Sequence, residues 1–145
     1  MVVIAIVGIL AALTMPSFKS LMESQRVKSA SFEMYALFNL ARSEAIKRNT
    51  NVTIAPVMSG ATVISLDVTS AGGALLYSKS MPKGIDFDVL PTTATSVIYQ
   101  RTGRTTAAGN VTFQIDVLGE TTPTMHVRCI TLGLSGMPSI KKGAC

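Results

Sequence analysis

Histidine and cysteine are nearly missing from this chain of 145 residues, which has one His and two Cys. A structural zinc site takes four such ligands, so that class of site is excluded. The lone His126 lies between Met125 and Val127 in a strand-like run. It reads as a packed or surface side chain rather than a catalytic base. No glycine-rich phosphate loop, internal repeat or low-complexity stretch is present, and no cofactor is expected. Charged residues are scarce at 14%, while hydrophobic residues make up 48%. A disordered chain would show the opposite balance. The net charge of +5 permits an anionic partner without requiring one. No basic patch is interleaved with aromatic residues, so a stacking platform for bases is lacking. Asp86 and Asp88 are two apart and share a face if the segment is a strand. Such a pair fits a cation site or a solvated sheet face. Without a further ligand in the sequence, the solvated face is the expectation.

What the chain does have is an apolar beginning. Residues 1–13 carry no charged or hydrogen-bonding polar side chain. Thirteen helical residues rise only about 20 Å, short of a hydrocarbon core of about 30 Å. Two readings compete. The core of a cleaved signal peptide needs a basic segment before it and a small-residue cleavage site after it. Neither is found, and the run passes through Pro16 into a helical pattern. The better reading is a membrane helix whose start lies upstream of Met1. Pro16 is expected to kink it.

Beyond Pro16, Val27, Ala30, Met34, Leu37 with Phe38, Ala41 and Ala45 recur at steps of three and four. That spacing predicts one buried helix face. Arg26, Lys28, Glu33, Arg42, Lys47 and Arg48 fall mostly off it, and Arg42 is expected on a face that is exposed or turned to other subunits of an assembly. After Asn49 the period changes to two and β-branched residues become frequent. Strands are predicted near residues 52–57, 62–69, 75–78, 85–90, 96–101, 111–118 and 125–132, with a short one near 139–142. Gly60, Gly72, Gly73, Pro82, Pro91, Gly103, Gly109, Gly119 and Pro123 supply the turns between them. Connections this short fit antiparallel pairing. The expected class is α+β: an apolar helical segment over 1–15, an amphipathic continuation over 16–50, and a β-rich head over 51–145.

Three blocks carry a family likeness. Val2-Val-Ile-Ala-Ile-Val-Gly-Ile-Leu-Ala-Ala-Leu13 is followed by Met15-Pro16-Ser17-Phe18. Asn39-Leu-Ala-Arg-Ser-Glu-Ala-Ile-Lys-Arg-Asn49 is followed by Val52-Thr-Ile54. Tyr99-Gln-Arg-Thr-Gly-Arg104 precedes Val111-Thr-Phe113 and a late cysteine pair. Together they resemble the type IV pilin-like proteins, and within them the H-type pseudopilins of type II secretion and the minor pilins of type IV pili.

The resemblance implies a pilin-like fold and a non-catalytic subunit that helps initiate or cap a pilus or pseudopilus. The implied partners are other minor pilins or pseudopilins, the major subunit, the inner membrane before assembly, and the prepilin peptidase. The head would be periplasmic on a single-pass anchor. The peptidase site, the methylated residue and the assembly glutamate would all lie upstream of Met1. Val2, Ile4, Val7, Gly8, Leu10, Leu13 and Pro16 would anchor the helix and pack it in the filament. There Gly8, Ala11 and Ala12 would permit close approach, though Gly8 also fits as a small residue tolerated in a lipid-facing helix. In an oxidising compartment Cys129 and Cys145 would pair, whereas a reducing one would leave them free. The alternative role is a DNA receptor. Some relatives use a C-terminal Gly-Arg-x-Arg element for this, but Met137 and Ser139 stand where its arginines would be. Arg101, Arg104, Lys141 and Lys142 are the phosphate contacts that remain for that role.

Overall fold

A computed structural model describes the chain except residues 1, 61, 91–95, 107–109 and 120–125, and describes the side chains of the helix from Phe18 onward. The expected turns at Pro91, Gly109 and Pro123, the strand position Met125, and the side chains of Val2, Ile4, Val7, Gly8, Leu10, Leu13 and Pro16 lie outside the described residues. One helix, α1 (Val2–Arg48), runs through Pro16 unbroken. Its 47 residues span about 70 Å. It ends where Asn49 turns left-handed at φ 54°. The Asn49 N–H then donates to Ile46 O, and the Thr50 N–H to Ala45 O, both at 3.2 Å. This is a left-handed cap that an asparagine tolerates.

Eight strands follow: β1 (Val52–Ser59), β2 (Thr62–Ser70), β3 (Leu75–Ser80), β4 (Ile85–Leu90), β5 (Val97–Tyr99), β6 (Val111–Val117), β7 (Arg128–Leu132) and β8 (Pro138–Lys142). They build two antiparallel sheets in the orders β3-β2-β1-β5 and β4-β6-β7-β8. The fold is α+β, with α1 packed on both sheets. β4 keeps its expected bounds, and the other strands differ from theirs at an end by one to three residues. β3 runs two residues longer, because its end still pairs with Ser65 and Leu66 of β2. β5 stops at Tyr99, because the chain turns at Gln100, whose carbonyl accepts the Gly103 N–H. β7 starts only at Arg128.

The buried stripe of α1 is the one the spacing marks. Val27, Ala30, Met34, Leu37, Phe38, Ala41 and Ala45 are all buried, and Ser31 joins them. Its hydroxyl donates to Val27 O at 2.6 Å, so no polar group is stranded there. Phe38 meets Phe113 of β6 with ring centroids 4.8 Å apart, and Phe87 of β4 lies 5.5 Å beyond. These rings join helix and second sheet into one core. Val52, Ile54, Leu66 and Val68 bring in the first sheet.

Candidate assembly surface

The far side of α1 is not the charged face the sequence suggests. Phe18, Met22, Gln25, Ser29, Phe32, Ala36, Leu40 and Ser43 follow one another at steps of three and four, opposite the buried stripe. No charged residue interrupts them over about 37 Å of helix. Phe18 is 65% exposed and Phe32 55%. The ionic groups sit to the sides, in Lys19–Glu23 at 3.7 Å, Arg48–Glu44 at 2.6 Å and Glu33–Lys79 at 2.8 Å. An uncharged strip of this length, with Phe18, Met22, Phe32 and Leu40 exposed along it, marks a contact surface. Sequence reasoning missed it, although a run of uncharged positions opposite the first stripe was its visible signal.

Arg42 departs from expectation. It is half-buried, and its Nε donates to the carbonyl of Gly103 at 3.0 Å. The turn after β5 folds back over the end of α1, so a residue off the apolar stripe still finds a backbone acceptor. Gly103 has φ +75°, and a Cβ there would press on Ile46 and Arg42. Gly136, at φ +74°, lies against Gly103 so closely that any Cβ would collide with its carbonyl oxygen. Thr105 completes the seam, its hydroxyl donating to Gly133 O at 3.0 Å and its N–H to Leu134 O at 3.3 Å. Tyr99 is fully buried beneath it. Burial holds its phenol well above the usual range, against the opposing pull of Arg42.

Contacts along α1 order the head from base to tip. Ser20 meets His126 at 3.2 Å just before β7, whereas Arg42 meets the turn at Gly103. Their sequence separation of 22 corresponds to about 33 Å of helix. Arg101 and Arg104 belong to the turn at the tip. Lys142 pairs with Arg128 at the base, with Lys141 beside it. The four cations therefore form two pairs at opposite ends. Lys141 faces Cys129 across the outer side of the second sheet. Cys129 and Cys145 are joined with Cα atoms 5.2 Å apart, and the Cys145 N–H donates to Gln114 Oε1 at 3.3 Å. The tail is thus folded onto that sheet.

Asp86 faces Asp116 across β4 and β6. The Asp88 carboxyl is raised by partial burial, then by Asp86 and Asp116. Asp86 accepts the Phe87 N–H at 3.0 Å and Asp116 the Val117 N–H at 2.8 Å. Among the described residues no cluster has the make-up to hold a metal ion.

The helix thus has one face on two sheets and a second, uncharged face left open. The family model described as "Type II transport protein GspH" matches residues 30–136. The chain belongs to the GspH family. It is a type IV pilin-like protein of the H-type pseudopilin and minor pilin branch. The minor pilin FimU of Pseudomonas aeruginosa is similar in fold: 19% identity, TM-score 0.66, covering 79% of this chain and 91% of that one. The minor pseudopilin EpsH of the Vibrio cholerae type 2 secretion system is similar too, at 15% identity and TM-score 0.62, with 81% and 97% covered. No curated protein sequence gives a significant match. Within the GspH segment lie most of the buried stripe and the seam of Arg42, Gly103 and Gly136. The family likeness thus rests on the parts that lock helix to head.

Proposed function

We propose that this GspH-family chain is a non-catalytic structural subunit, a minor pilin or pseudopilin that helps initiate or cap a filament. The observation that carries this reading is the charge-free strip on the open face of α1, which continues the apolar segment over residues 2–13. That segment holds the subunit at the inner membrane before assembly. Among the described residues no helix is long and apolar enough to cross a membrane. On assembly, apolar helices trade lipid for one another, so shape and small residues decide the fit more than hydrophobic gain. The strip extends that contact into the periplasmic half, where water makes burial of Phe18 and Phe32 favourable by about 1.5–3 kcal/mol each.

Nothing in the arrangement favours the DNA-receptor alternative, since its four cations make no continuous track. The test is Phe32→Glu on the open face. The variant is expected to keep its unfolding midpoint and to lose cross-linking to neighbouring subunits, with fewer filaments made. Normal cross-linking and filament number in a stable Phe32→Glu protein would sink the proposal.

A further inference from the structure

The tip of the head holds a polar groove of about 550 Å³, within the usual range of ligand clefts. Its walls are the capped end of α1 (Asn49, Thr50, Asn51), Ala71 of the β2–β3 turn, and Gln100, Arg101 and Thr102 after β5. Each wall is held by its own backbone bonds. Thr50 N–H donates to Ala45 O at 3.2 Å, Gly73 N–H to Ser70 O at 2.9 Å, and Gly103 N–H to Gln100 O at 2.8 Å. The groove is therefore formed before anything enters it, which lowers the ordering cost of binding. All six polar lining side chains are exposed.

Arg101 lines the groove and no carboxylate does. Glu44 in the last turns of α1 is already held by Arg48 at 2.6 Å. An anion is the complement. The remaining lining narrows its class. Asn and Gln amides offer acceptors as well as donors, and so do threonine hydroxyls. The groove also abuts a helix C-terminus, whose last carbonyls take N–H donors rather than further acceptors. A phosphodiester backbone brings acceptors only, whereas a polypeptide brings N–H donors, C=O acceptors and carboxylates together. We propose that this groove binds an extended acidic peptide segment of a partner protein, with Arg101 pairing a carboxylate and Asn49, Asn51 and Gln100 pairing its backbone. The inference goes beyond the filament role and does not depend on the outer face of α1.

The test uses the full chain in nonionic detergent with four fluorescent probes. These are an octapeptide of Asp, Glu, Gly and Ser, its Asn/Gln isostere, its Lys counterpart, and a single-stranded oligonucleotide of equal negative charge. The acidic peptide is expected to bind at least about tenfold more tightly than the other three. Its affinity is expected to weaken with salt and to fall about tenfold in Arg101→Gln. Lys142→Gln, at the opposite end, is expected to leave binding unchanged. Side-chain amide signals of Asn49, Asn51 and Gln100 are expected to shift on titration. Tighter binding of the oligonucleotide would make this a phosphate site and overturn the proposal. Equal binding of the isostere, unchanged affinity in Arg101→Gln, or no binding of the acidic peptide would overturn it as well. A Phe32→Glu chain that no longer assembles but still binds the peptide separates this inference from the filament reading.

Discussion

Phe38 has no exposed surface and faces Phe113 across the interface between helix and sheet. Truncation to alanine removes the transfer energy of a ring and leaves a cavity that the two sheets cannot close. Phe38→Ala is expected to destabilise the fold by about 3–5 kcal/mol in chemical denaturation. Lys28→Ala, on the exposed flank, is expected to change it by less than about 0.5 kcal/mol. Arg42→Ala should fall between, at about 1–2 kcal/mol, because it leaves the Gly103 carbonyl without its charged donor. Equal midpoints for Phe38→Ala and Lys28→Ala would mean that the packing face is wrong. The contrast shows what a residue pattern carries. Burial of Val27 through Ala45 is a property of spacing, so it was legible. The partner of Arg42 is 61 positions away, and no local pattern encodes a contact to a backbone carbonyl at that separation.

Elements were legible in kind more than in extent. Alternation marked every strand, but strand ends are set by where pairing stops. β7 and β8 pair from Arg128↔Lys142 to Leu132↔Pro138, a register that only the folded sheet defines. The division into two sheets was likewise hidden, since alternation gives a strand one inner face without saying which neighbour it meets. The last element carries its own test. The Cys129–Cys145 link spans a sequence separation of 16 and closes the tail over the outer side of β6 and β7. A loop of that size restrains the unfolded chain by about 3 kcal/mol. Protein made in an oxidising compartment is expected to show no alkylated thiols before reduction by intact mass, and to lose about that stability in Cys145→Ser. Two alkylated thiols in unreduced protein would refute the link.

At the scale of the whole molecule, α1 serves two masters. Its buried residues begin at Val27 among residues 18–48, and ahead of them Ser20 meets His126 at 3.2 Å. Ahead of residue 25 the helix rises about 35 Å, and on the proposed reading that stretch serves membrane and filament. A chain of residues 25–145 is expected to fold cooperatively as a soluble head. A chain of residues 36–145 lacks Val27, Ala30 and Met34, each at most 2% exposed in the intact protein. Burying Val and Met contributes about 1.5–3 kcal/mol each. Their loss also uncovers the second sheet beneath them. Against a typical stability of about 5–15 kcal/mol, that deletion removes much of the margin. Circular dichroism and denaturant titration of the two truncations decide the matter. A cooperative transition for 25–145 with none for 36–145 places the boundary between anchor and head within the helix, ahead of Val27. The same midpoint for both would show that the sheets hold together without the helix, and α1 would then be an assembly element along its entire length.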